Sequence, residues 1–244
     1  MMRYLLIGLA SLLVWLIVLM PLKAVMIVAG GASAFGYQDV YGSLWQGRIY
    51  GMRVAGAMPV REVELAVNPL PLLIGRLSAD WVVRDASLRG RGQVQWGGDR
   101  LQLNSTRFDA SLHRLGLSAF PGLDLDGQVS ATLTQLDMDG DTCLSAEGAM
   151  RTAALSQFAA TYGYDGPDLV GQFSCRDDRL VLDFSGISDD LSLTGEIDFD
   201  RSGYRWSLEV QTPRAELADV LALGGLERAG NIWRRQGSVG YGEP

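Results

Sequence analysis

Across most of this chain apolar and polar residues alternate with a period of two, and that pattern restricts the possible folds more than any other feature. Leu101 and Leu103 alternate with polar neighbours, and Phe108, Ala110 and Leu112 follow on one face. The same holds for Val129, Ala131 and Leu133, for Leu180, Leu182 and Phe184, and for Tyr204, Trp206, Leu208 and Val210. Leu191, Leu193, Ile197 and Phe199 bracket Gly195 in a further run. A strand sends successive side chains to opposite faces, so each run predicts one face on a core and one in water. Turn signals separate the runs, among them Gly97-Gly98-Asp99, Asp177-Asp178 and Ser188-Asp189-Asp190. Connections this short join antiparallel neighbours, because parallel strands need long crossovers.

Glycine recurs near the strand openings. Leu125-Asp-Gly-Gln-Val129, Leu169-Val-Gly-Gln-Phe173 and Leu193-Thr-Gly-Glu-Ile197 share one form, and Leu88-Arg-Gly-Arg-Gly-Gln-Val94 is a stretched relative. Glycine inside a strand marks a bulge, a bend or a close backbone approach, so a curved meander is expected. Helices are few. Thr152 and Gly163 bound one over residues 153–162, Pro213 and Gly224 bound another over 213–223, and residues 69–77 suit a short helical turn. The predicted fold is mainly β: a curved antiparallel β-meander with two or three short helices.

Residues 4–22, which include Tyr4, Trp15 and Leu22, form a run of 19 residues without a charge, bounded by Arg3 and Lys23. As a helix it spans roughly 28 Å, close to a bilayer's hydrocarbon core. Ala32-Ser33-Ala34 offers a signal-peptidase site, but the apolar core exceeds the usual signal length and lies far upstream of it. An uncleaved single-pass anchor is therefore expected over residues 1–28, followed by a β-rich domain over 29–244. Arg3 and the terminal amine place the N-terminus in the cytoplasm and the bulk of the chain in the periplasm of a bacterial cell.

Composition excludes several functions. The net charge of −7 offers no counterion release on a polyanion, so no nucleic-acid partner is expected. A single histidine, His113, and two cysteines leave no zinc set and no nucleophile motif. No cofactor, metal or enzymatic activity is expected. Asp137-Met-Asp-Gly-Asp141 has its glycine at the fourth position instead of the sixth of a calcium loop, so it reads as a hairpin turn. The pairs Asp177-Asp178 and Asp189-Asp190 read as solvated turns, and Trp233-Arg234-Arg235 as residues that finish the last strand or the tail, with a partner site as the alternative. Cys143 and Cys175 either pair or remain two buried thiols; outside the cytoplasm pairing is expected.

Two segments carry a family resemblance. Gly42-Ser-Leu-Trp45-Gln-Gly47 resembles the Gly-x-x-Trp-x-Gly signature of the protein N family of the type II secretion pathway. Residues 63–77, with Asn68-Pro69-Leu70 and a leucine-rich turn closing on Gly75, are similar to the strand and turn that follow it in that family. The resemblance implies a component of the secretion apparatus that is held in the inner membrane and has its bulk in the periplasm. It implies partners among the other inner-membrane components and no catalytic residues. The alternating strands also suit a second reading: a lipid-binding or lipid-transfer protein of outer-membrane biogenesis with an apolar β groove.

Overall fold

The alternating runs become neighbouring strands of a single antiparallel sheet. In the computed structural model of the chain, residues 4, 8, 15, 19–28, 36–52, 60–112, 127–200 and 202–240 are described. Among them a short helix, α1 (Leu22–Val28), precedes strands β1 (Asp39–Gly42), β2 (Gly47–Met52) and β3 (Val60–Asn68). The turn helix α2 (Pro69–Leu72) leads to β4 (Leu77–Arg84), β5 (Leu88–Gly97), β6 (Arg100–Ser111), β7 (Gln128–Asp139) and β8 (Thr142–Thr152). Helix α3 (Ala154–Thr161) is followed by β9 (Leu169–Arg176), β10 (Arg179–Ile187), β11 (Ser192–Asp200) and β12 (Gly203–Gln211). Helix α4 (Ala215–Leu223), β13 (Glu227–Ala229) and β14 (Ile232–Gly240) follow.

The 14-stranded sheet is an open meander in sequence order, except that β14 lies between β12 and β13. Register puts every apolar run on the same side. Val63 faces Val83, Val83 faces Gly90, Gly90 faces Phe108 and Phe108 faces Ala131. The line continues through Met150, Gly171, Phe184, Gly195 and Leu208. Because the side-chain period is two, a slip of one residue at any pairing would turn the remaining strands inside out. The other face carries cross-strand ion pairs, such as Arg176 with Asp183 and Glu196, and Arg234 with Glu209. Exposed pairs of this kind add little stability, and their use is to keep that face wet.

The recurrent strand glycines make room for aromatic rings. Phe184 lies between Gly171 and Gly195 in register, and a Cβ on Gly195 would collide with its ring. Phe108 faces Gly90, and Trp206 faces Gly237 in the same way. Rings that cover neighbouring glycines keep a strand's apolar face filled. True bulges occur elsewhere, at Arg91/Gln93, Leu133/Gln135 and Asp137/Met138. Leu125 and its neighbour lie outside the described residues.

Helices α2, α3 and α4 occupy the three expected places. Thr152 accepts a hydrogen bond from the Ala154 N–H at 3.2 Å, which satisfies one donor of α3's first turn, and Gly163 ends that helix at φ +78°. Helix α1 lies within the anchor segment expected over residues 1–28. It docks on the apolar face, where Leu22 is 4% exposed and forms a cluster with Val40, Ile49, Val60 and Val63. No helix among the described residues is long and apolar enough to cross a membrane. Most of residues 4–22 lie outside the described residues, as do His113 and residues 32–34.

Cys143 and Cys175 form a disulfide with their Cα atoms 5.5 Å apart. The backbone ladder between β8 and β9 covers only Gly148–Thr152 against Leu169–Phe173, so the bond joins the stretches beyond it, where these two strands no longer pair with each other. The loop it closes has a sequence separation of 32 residues. Replacing both cysteines by serine should lower stability in urea unfolding by about 3 to 4 kcal/mol. Labelling of both thiols by an alkylating agent in unreduced protein would overturn the bond.

Candidate functional site

An antiparallel meander places alternate turns along opposite edges of its sheet. The turns β1–β2, β3–β4, β5–β6, β7–β8 and β9–β10 therefore share one edge. Both family-like segments lie on that edge and touch each other. Gly42 and Gly47 bracket the β1–β2 turn and face each other in register. Gly42 holds φ +92°, and a Cβ there would collide with the Gln46 carbonyl, so the tight turn requires glycine. The half-buried Trp45 at its tip accepts a hydrogen bond from the Val67 N–H at 3.2 Å. That contact ties the first turn to the end of β3, one residue before Asn68.

The second segment is an ordered cap. Asn68 Oδ1 accepts the Leu70 N–H at 3.1 Å, and Pro69 and Pro71 fix the backbone of the single helical turn that follows. The N–H groups of Leu73, Ile74 and Gly75 donate to Leu70, Pro71 and Leu72 in succession, and Gly75 reverses the chain at φ +72°. This rigid turn leaves Leu70, Leu73 and Ile74 exposed at 70%, 84% and 72%.

The N-terminal segment reaches the sheet at the same corner. Pro21 bridges Ser43, and the Leu44 N–H donates to the Met20 carbonyl at 2.9 Å. A Cβ on Gly47 would collide with Leu22 Cδ2, so this glycine admits the start of α1. The structure thus brings Gly42, Trp45, Gly47, Asn68, Pro69, Gly75 and Leu22 to one corner. Tyr4 and Trp15 are both exposed. Cys143 and Cys175 lie far along the sheet, on β8 and β9.

No group of three or more metal-ligating side chains occurs among the described residues. Within the aspartate-rich stretch 137–141, Asp137 belongs to the end of β7 and has a structural role. Asp137 is 5% exposed and accepts Arg100 Nε at 2.8 Å and Gln102 Nε2 at 3.0 Å. Asp190 corrects the reading of its turn as solvated: it is 6% exposed and accepts the Asp165 N–H at 2.9 Å and the Arg214 Nε. The chain returning from β12 brings Arg214 back onto that turn, a contact that no local pattern contains. A concavity of about 810 Å³ lies at the opposite edge beside the β4–β5 turn. It is lined by Arg61, Arg84, Arg89, Arg91 and Arg107 with Glu62, Asp85 and Asp109, and it holds no histidine, cysteine or lysine.

Two predictions follow from this geometry. The hydrogen bond from Arg100 holds the Asp137 carboxyl below its usual range, aided by Gln102 and opposed by burial. A carboxyl lowered by folding contributes stability above its unfolded value of about 4, and loses it as pH falls through the lowered value. Asp137→Asn should cost about 2 kcal/mol at pH 7. The gap from the native chain should narrow in urea unfolding at acidic pH; an unchanged gap contradicts the assignment. At the corner, Gly42→Ala should cost about 1–3 kcal/mol, because the residue is held at a strained φ against a backbone oxygen. Gly75→Ala meets nothing within 4 Å and should cost only the left-handed penalty of about 1 kcal/mol. Equal losses in the two variants would contradict the steric argument.

No curated relative and no solved structure matches the chain. One family model does, that of the type II secretion system (T2SS), protein N, over residues 33–235. The match runs from just before β1 into β14 and so takes in the sheet and both segments of the corner. The chain belongs to the type II secretion system protein N family and is a component of that secretion machinery.

Proposed function

We propose that this chain is a non-enzymatic part of the type II secretion machinery, anchored in the bacterial inner membrane with its β domain in the periplasm. Of the anchor segment expected over residues 1–28, the stretch before Pro21 would cross the bilayer, because Leu22 and the rest of α1 pack on the sheet, and residues 29–244 form the periplasmic domain. One observation carries the reading: the uncharged run of residues 4–22 meets the sheet at the corner built by both family-specific segments. The anchor and the signature are thus one piece of architecture. The disulfide between Cys143 and Cys175 supports an oxidising compartment. The domain works by contact. At one border of the sheet, all three residues of β13 are exposed, and an unpaired strand edge accepts a further strand from a partner. The partners are other inner-membrane components of the apparatus.

A second reading, lipid binding or transfer, has one observation in its favour. The sheet's apolar face runs without interruption from Val63 to Leu208, while the two clusters of buried side chains lie toward its two ends. A face of that kind suits acyl chains.

Both readings are tested on the full chain purified from cross-linked membranes at native expression. Recovery of secretion components is expected, and recovery of none overturns the first reading. Lipid extracted in fixed proportion to protein, with no secretion component present, would favour the second. A reporter joined after Pro244 should be active in the periplasm; activity only in the cytoplasm overturns the placement.

A further inference from the structure

Four large aliphatic residues within the span 70–74 stand in solvent at the corner where the N-terminal run enters. Leu70 is 70% exposed, Leu72 37%, Leu73 84% and Ile74 72%. Single exposed leucines are ordinary, but an ordered turn that presents several together marks a contact surface. Five hydrogen bonds donated by backbone N–H groups hold this one: Leu70 to the Asn68 side chain, and Leu73, Ile74, Gly75 and Arg76 to backbone carbonyls. Behind it, Leu77 faces Trp96 in register and Trp96 faces Leu101. Trp96 is 56% exposed and Leu101 36%, so the apolar surface continues from the turn onto β5 and β6.

Charge along this edge shows how far the contact extends. The β1–β2 turn, Ser43-Leu44-Trp45-Gln46, carries no charge, and the β3–β4 turn carries only Arg76. From there on every turn is acidic: Asp99, then Asp139 and Asp141, then Asp177 and Asp178. Carboxylates avoid an apolar phase and the anionic surface of a bilayer. Only the corner formed by β1 to β5 can therefore approach one. An arginine beside apolar residues suits this place, since its stem lies along the hydrocarbon while its guanidinium reaches the headgroups.

We propose that the turn bearing Leu70, Leu73 and Ile74 dips into the bilayer leaflet from which residues 4–22 emerge, as a second lipid contact beside the anchor. This rests on the anchored reading above. A single helix leaves a domain free to swivel about one tether. Insertion of a rigid turn fixed to β3 and β4 holds the sheet at a defined tilt, with its acidic turns in water. The occupant is lipid because the apolar run ends at this corner: Met20 and Pro21 pair with the turn beside it, which keeps the exposed side chains close to the membrane surface. Interfacial side chains of this kind reach about 5–10 Å into the headgroup and acyl boundary.

The test uses the full chain reconstituted in vesicles of phosphatidylethanolamine and phosphatidylglycerol. The native cysteines are held in their disulfide, so a third cysteine takes an environment-sensitive fluorophore alone. It is placed in turn by Leu73→Cys, by Trp15→Cys within the apolar run, and by Ile187→Cys. Ile187 is 81% exposed at the opposite edge of the sheet. The expected result at position 73 is blue-shifted emission, quenched by lipid that carries a spin label near its headgroup; position 15 is quenched by lipid labelled deep in its acyl chain, and position 187 shows neither shift nor quenching by either label. Position 15 quenched and position 73 in water overturns the proposal alone. Absence of quenching at both 15 and 73 overturns the anchor along with it. A blue shift at 73 that disappears when the chain is diluted into excess lipid assigns the turn to a second copy, and the proposal is then wrong.

Discussion

Everything in this molecule depends on keeping one face of a very wide sheet apolar over its full width. Each strand inherits its orientation from the neighbour it pairs with, and the period of two leaves no tolerance for a shift of one residue. The devices that enforce this differ on the two faces. On the apolar side, glycines at 90, 195 and 237 receive the rings of Phe108, Phe184 and Trp206, so register is set by shape. On the polar side, arginines meet carboxylates across neighbouring strands, as Arg179 and Arg205 do at Asp198. A mispaired strand would bury charges and leave rings without a cavity, and the first of these errors is the costlier.

A sheet this wide needs help where local pairing runs out. The disulfide is placed where the β8–β9 ladder stops, and the Asp190–Arg214 contact fastens the return of the chain after β12. At the other end α1 lays Leu22 against Val40, Ile49, Val60 and Val63 and closes the first strands. The family signature belongs to the same device: the two glycines of the β1–β2 turn are needed for the turn itself and for access of Leu22, and Trp45 ties that turn to β3. What looks like a motif for recognition is first a mechanical joint between an apolar N-terminal segment and a sheet.

Much of the fold was legible beforehand, because alternation and turn residues are local signals. The antiparallel meander, the helices near 69, 153 and 213, and the hairpin after Asp137 all follow from spacing and punctuation. Glycine was harder to read. A strand glycine can mean a bulge, a bend or a close approach, and only the residue across the ladder decides among them; here it is usually an aromatic ring. Asp190 was missed for a similar reason. An aspartate in a turn looks solvated until a distant arginine is folded onto it.

By itself the sequence determined the period, the turns between the alternating runs, the uncharged run of residues 4–22 and the family resemblance, since each is written in consecutive or regularly spaced residues. Only the tertiary structure decided which segments meet. Residues 20–22, 42–47 and 68–75 are separated along the chain, and they converge because antiparallel pairing returns alternate turns to one edge. The exposure of Leu70, Leu73 and Ile74 beside the entry of the apolar run is likewise a product of pairing. Their composition alone would have suited a buried core equally well.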